Sequence, residues 1–227
     1  FRVLRTLLNW IWEEYDVDLP NPIRKVKCSD RKPEPIEGIK IADVDKMLAQ
    51  CKFNKFPERD RAMIAVLIDT GVRRNELMSI RMSDLELELN QIMIRHGKGN
   101  KFRFVFIGRE TKKLLRKYLA CIEDIRLSDP LWLNIDGDPL SISGARDILR
   151  RTQKNAGLDR IHDFHAFRRC FAIERKRNGD DDITISRALG HSSLEVTKRY
   201  LAFTPDDDRD FAMRASPMDN RRRNRSM

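Results

Sequence analysis

Cysteine is sparse and scattered in this 227-residue chain. The four cysteines stand at positions 28, 51, 121 and 170, and no two are close enough for a C-x-x-C pair. That excludes a disulfide framework and a thiolate zinc site, and makes a reducing, cytoplasmic setting the expectation. Long apolar runs are missing too. The longest, Ala62 to Ile68, is seven residues, far short of the roughly 20 that a membrane span requires. The N-terminus does not read as a secretory signal. A Walker phosphate loop is absent: around Lys98, position 92 is Ile where a glycine is needed, and position 99 is Gly where Ser or Thr is needed. The chain begins at Phe1 rather than Met, so a fragment of a longer protein is expected.

What is abundant is charge. Lys and Arg number 45 against 35 Asp and Glu, giving a net charge of +10. The balance favours a polyanionic partner, because each cation that neutralises a phosphate releases condensed counterions. Hydrophobic residues still make up 41%, enough for a core, so a folded chain rather than one disordered throughout is expected. The length suits one domain or one and a half.

Periodicity divides the chain. Leu4, Leu7, Leu8, Ile11, Trp12 and Tyr15 recur at helical spacing before Pro20 and Pro22. Residues 20–38 carry four prolines with Arg24, Lys25, Lys27, Arg31 and Lys32 between them, the pattern of a basic linker. Helices are predicted over 42–51, 59–70 (closed by Gly71), 73–80, 111–122, 141–155 (capped by Ser141), 165–177 and 183–189 (stopped by Gly190), with a short extended piece over 130–135. Between them the period changes to two. Gln91–His96 and Lys101–Ile107 read as strands around the turn Gly97-Lys98-Gly99-Asn100. The expected fold class is mainly α with one small antiparallel β-sheet.

Some residues in this frame could carry chemistry. Lys98 sits at the hairpin tip, where with Lys101 and Arg103 it either reaches into a DNA groove or decorates a solvated turn. Arg73 and Glu76 lie one helical turn apart and can pair. His165 and Arg168 share a helix face and can present a titratable donor and a two-pronged cation to one phosphate. His162 raises the alternative of a metal pair, with Cys170 as the one nearby thiol. Leu189-Gly190-His191-Ser192-Ser193, and Tyr200 nine residues after that histidine, are unremarkable singly.

Their order is informative. T-G-x-R-x-x-E-L at 70–77, G-K-G-N-K at 97–101, H-x-x-R at 165–168, L-G-H-S-S at 189–193 and Tyr200 follow one another along residues 39–203. This succession resembles the tyrosine recombinases, the phage integrase family. The resemblance implies the recombinase catalytic-domain fold over 39–204, with residues 1–19 as the last helix of a shortened core-binding domain and 205–227 as a tail. It implies Arg73, Lys98, His165, Arg168, His191 and Tyr200 as catalytic, with Glu76 in support. Arg169 departs from the histidine that the family often carries after the second arginine.

The implied reaction is strand cleavage and rejoining at a DNA phosphodiester. Tyr200 attacks phosphorus, forming a 3′-phosphotyrosyl link and releasing a 5′-hydroxyl. Bond energy is conserved, so neither metal nor nucleotide cofactor is expected. The phenol, with a pKa of about 10, needs a base, for which His165 is the choice and His191 the substitute. Lys98 protonates the leaving oxygen, and Arg73 and Arg168 hold the charged transition state. DNA-backbone contacts are expected from Arg146, Arg150, Arg151 and Lys154 on one helix, and from Arg24 and Lys25 in the linker. Phe211 and Met213 would anchor the tail on a neighbouring subunit, within four protomers on two duplexes. The rival readings are a type IB topoisomerase and a DNA-binding module without catalysis.

Overall fold

The computed structural model describes residues 2–15, 17, 19–26, 38–95 and 102–190. By contacts the chain divides into two units, Phe1–Glu34 and Pro35–Met227.

In the first unit, helix α1 spans Arg2–Glu14. Of the residues expected to form a basic linker, 20–38, those at 27–37 lie outside the described residues, and a local turn is found near the start. Asn21 caps a short 3-10 turn over Pro22–Arg24, with Pro22 in the first position where its missing N–H costs nothing. Two bonds tie this turn back to α1: Asn21 Nδ2 donates to Asn9 Oδ1 at 3.1 Å, and Trp12 Nε1 donates to the Leu19 carbonyl at 2.7 Å. Arg24 and Lys25 are exposed here.

The second unit is built around one helix. After α2 (Ile41–Gln50), α3 runs over Pro57–Thr70 and contains the longest apolar run of the sequence. Ala62, Met63, Ile64, Ala65, Val66 and Leu67 are all buried, as a helix apolar on every side must be. Proline opens α3 and Gly71 closes it at φ +56°, the left-handed conformation that glycine adopts without penalty. The short helix α4 (Arg74–Ser79) follows directly.

Three strands come next: β1 (Leu85–Glu86), β2 (Gln91–Arg95) and β3 (Phe102–Phe106), antiparallel in the order β1-β2-β3. Two were expected from periodicity; β1, only two residues long, is too short to show any. Ile92 pairs with Val105 and Ile94 with Arg103, so these residues share the inward face of the sheet. The turn residues 97–100 lie outside the described residues.

Helices α5 (Arg109–Leu119), α6 (Ile142–Asn155), α7 (Phe164–Arg177) and α8 (Asp182–Leu189) complete the unit. The extended piece expected near 130–135 forms only isolated bridges, Arg81 to Pro130 and Leu133 to Pro139. It carries Trp132, which stacks on Tyr118 and donates to the Leu77 carbonyl at 2.9 Å, fixing α4 from below. Mainly helical architecture with a small antiparallel sheet is thus observed.

Gly71 is the tightest joint. A Cβ there would stand 2.7 Å from Phe171 Cδ1 and 2.9 Å from Leu189 Cδ2, both in closely packed surroundings. Gly71→Ala is expected to lower unfolding free energy by about 3 kcal/mol, combining a left-handed non-glycine residue with overpacking. Urea denaturation checks this; an unchanged midpoint would contradict the packing described.

Candidate active site

Arg73 sits at the N-terminal cap of α4, between the closing glycine of α3 and the first turn of the next helix. Its backbone N–H donates to Glu76 Oε2 at 2.8 Å, and its Nη1 donates to Glu76 Oε1 at 2.9 Å. The pairing expected from the R-x-x-E spacing is therefore present, and it is more than a surface pair. Glu76 is 8% exposed, whereas the Arg73 side chain is 42% exposed and its Nη2 also donates to the Gly190 carbonyl at 3.3 Å.

Arg168 is reached from another direction. It lies on α7, is 1% exposed, and sends Nη1 to the Gly71 carbonyl at 2.6 Å and Nη2 to the Leu189 carbonyl at 2.7 Å. These carbonyls terminate α3 and α8. Helix C-termini carry partial negative charge, so they are favourable partners for a buried guanidinium. One turn earlier, His165 is exposed in the first turn of α7. Asp163 caps that turn, accepting from the N–H groups of His165 and Ala166 at 3.0 and 3.2 Å.

Val72, Arg73, Arg74, Asn75, Glu76, Arg146, Asp163, Phe164, His165 and Arg168 together line a cleft of about 490 Å³. Segments separated by about a hundred positions thus meet. The cleft offers cationic side chains and the N-terminal end of a fourteen-residue helix, a combination suited to an anion such as a phosphate.

Not every expected residue belongs to it. Arg103, expected to reach outward with Lys98 and Lys101, turns inward: its side chain is 13% exposed, and Nη1 and Nη2 donate to Glu76 Oε1 and Oε2 at 3.0 and 2.9 Å. The physical reason is register. Pairing with Ile94 puts Arg103 on the inward face and leaves Phe102, Phe104 and Phe106 on the exposed one. On α6, Arg146 borders the cleft, while Arg150, Arg151 and Lys154 are exposed outside its lining. Arg150 meets Asp147 at 3.3 Å with both side chains about 60% exposed, a pair of little energetic weight. Lys98, Lys101, His191, Tyr200, Phe211 and Met213 lie outside the described residues. Arg169 is buried at 5% exposure on the same helix as Arg168.

His162, the candidate for a metal pair, is tied through its backbone. The His162 backbone exchanges hydrogen bonds with Gln153, and Cys170 is buried, its thiol pushed up to about 12 by desolvation. Among the described residues no three His, Cys, Asp or Glu side chains converge on one point.

The sequence reading missed Asp163, although an aspartate just before a helix is a legible cap. It also missed the Gly71 and Leu189 carbonyls, which no side-chain pattern can announce.

Comparison with known proteins places this cleft in context. Residues 39–206 match the family model described as the phage integrase family. The tyrosine recombinase XerA of Saccharolobus solfataricus is 32% identical over 212 residues, which cover 93% of this chain and 65% of the relative. The tyrosine recombinase XerC of Leptospira interrogans is 30% identical over 219 residues, covering 94% of this chain and 70% of the relative. The chain therefore spans about two thirds of the length of these relatives. Among solved structures, XerA recombinase superposes with a TM-score of 0.73 at 23% identity, over 94% of this chain and 74% of that one. XerH site-specific recombinase bound to difH substrate, a pre-cleavage complex, gives 0.64 at 28% identity, over 74% and 51%.

Glu76 makes the electrostatics testable. Burial alone would raise its pKa; donors from Arg103 and Arg73 outweigh that and hold it at about 2, below the ordinary 4.5. A carboxyl depressed on folding stabilises the protein above its unfolded pKa and loses that contribution as pH falls toward its folded pKa. The stabilisation is of order 3 kcal/mol. Glu76→Gln is expected to be less stable than the parent at pH 7, with the gap narrowing between about pH 5 and pH 2. Urea titrations across that range check it; a pH-independent gap would contradict the assignment.

Proposed function

The chain belongs to the phage integrase family of tyrosine recombinases, and from that premise we propose that its cleft catalyses site-specific cleavage and rejoining of double-stranded DNA through a 3′-phosphotyrosyl intermediate. The observation that carries this reading is the meeting of Arg73, Glu76, His165 and Arg168 in one cleft from distant parts of the chain. The difH substrate held by XerH, a site-specific recombinase, supports a DNA recombination site as the partner proposed for this chain.

In the proposed reaction a scissile phosphate enters between Arg73 and Arg168. Arg168 lines the cleft with Nη1 and Nη2 held by the Gly71 and Leu189 carbonyls, which fixes a positive charge where the anion enters. Preorganised donors of this kind stabilise charge that develops on the non-bridging oxygens. Tyr200 supplies the nucleophile. His165 takes the phenolic proton in the forward direction and returns it in the reverse, with His191 donating to the phosphate oxygens. Lys98 protonates the departing 5′-oxygen. Each exchange swaps one phosphoester for another, so the proposal requires neither a metal nor ATP.

The same reading makes Arg146 and the exposed cations Arg150, Arg151, Lys154, Arg24 and Lys25 backbone contacts that give affinity without reading sequence. It also makes the active assembly four protomers on two duplexes, with Phe211 and Met213 of each tail docked on a neighbour, in the cytoplasm at the nucleoid.

A nicked duplex that traps cleaved product tests the chemistry. The parent chain is expected to form a covalent protein–DNA adduct in the presence of EDTA, and Tyr200→Phe none. Arg168→Ala is expected to slow adduct formation about 100-fold, as the loss of one preorganised oxyanion donor does. Adduct from Tyr200→Phe, or its abolition by EDTA, would overturn the mechanism.

A further inference from the structure

The surroundings of Arg103 assign it a different task from the groove contact that its place on the hairpin suggested. Its guanidinium lies edge-on to Glu76, Nη1 on Oε1 at 3.0 Å and Nη2 on Oε2 at 2.9 Å, a two-pronged fit that lysine cannot reproduce. Its Nε donates to the Ala188 carbonyl at 3.3 Å. The same head packs on Gly190: at φ +63°, a Cβ there would stand 3.0 Å from Arg103 Cζ. Arg103 thereby ties β3 to α4 and to the end of α8.

Charge gives the tie its consequence. One carboxylate faces two guanidiniums, and the two differ in exposure. Arg103 is 13% exposed and Arg73 42%. Both use Glu76 Oε1, and Arg73 also reaches the Gly190 carbonyl. Arg103 closes both oxygens of the carboxylate from the inner side. With that inner cation present, the negative charge of Glu76 is balanced without the full charge of Arg73. Without it, a buried carboxylate would draw Arg73 inward, since an uncompensated buried charge is costly.

We propose that Arg103 is a positioning residue for Arg73: by neutralising and orienting Glu76 it leaves the outward edge of Arg73 to a DNA phosphate. The inference rests on the reading of the cleft given above. It requires no contact between Arg103 and DNA, and it explains why a cation on the inward face of a strand is tolerated: Glu76 and the Ala188 carbonyl receive it.

The test uses the whole chain and the same trapping duplex, at saturating DNA so that lost affinity does not intrude. Arg103→Gln is expected to slow adduct formation about 10- to 100-fold, the scale of a misplaced catalytic group. Arg73→Ala/Arg103→Gln is expected to cleave no more slowly than Arg73→Ala, because Arg103 acts through Arg73 and has nothing left to position; independent effects would instead multiply. Glu76→Gln/Arg103→Gln removes the carboxylate together with its inner partner, which guards against misfolding from an unbalanced charge, and is expected to cleave several-fold faster than Arg103→Gln. Parent-like cleavage by Arg103→Gln overturns the inference, as does a double variant with Arg73→Ala that is markedly slower than Arg73→Ala. These results leave the proposed chemistry standing; absence of adduct from the parent chain overturns the reading of Tyr200 and the inference with it.

Discussion

A single buried carboxylate, Glu76, receives guanidinium groups from two directions, and the cleft takes its shape from that junction. Arg73 approaches from the cap of α4 and Arg103 from β3, and their other contacts reach Gly190 and Ala188 at the end of α8. Three stretches of chain with no continuity in sequence are thereby held to one point. The arrangement answers a physical demand, because a carboxylate removed from water must be met by charge and by donors. Here it is met on both oxygens, and its pKa of about 2 records the outcome.

Arg168 solves the opposite problem. A buried cation also needs partners, and its Nη1 and Nη2 donate to carbonyl groups that end α3 and α8. Backbone dipoles thus receive both terminal nitrogens of the guanidinium. Arg73 and Arg168 are therefore held differently, one through a shared carboxylate and the other through helix ends. Close approach of α3, α7 and α8 makes the second arrangement feasible, and Gly71 permits that approach by having no Cβ between Phe171 and Leu189. The cleft and the close packing of these helices depend on the same joint.

Much of this was legible in the sequence. The apolar run at 62–68 became the central helix, the Ser141 cap opened α6, and glycines 71 and 190 ended α3 and α8. The R-x-x-E and H-x-x-R spacings placed their residues correctly because one helical turn brings such pairs together. The failures have equally local causes. Strand β1 is two residues long and has no period to detect. In β3, alternation identifies two faces without saying which is inward; phenylalanines at 102, 104 and 106 nominate themselves for the core, yet the pairing of β2 with β3 gives that side to Arg103 and Val105. The turn over 22–24 escaped because prolines and charges there show no period, while the bonds from Asn21 and Trp12 that fold it are tertiary.

The central claim is that Arg73, His165 and Arg168 converge on one phosphate that Tyr200 attacks. A crystal structure of the chain on a nicked duplex with vanadate at the break, mimicking the five-coordinate phosphorus, addresses it most directly. The account predicts vanadate oxygens within about 3 Å of donors from Arg73 and Arg168, a reach typical of charge-assisted hydrogen bonds, with the Tyr200 oxygen at an apex and His165 beside it. Vanadate seated away from both arginines, or an apex occupied by water or another side chain while Tyr200 stays remote, would contradict it.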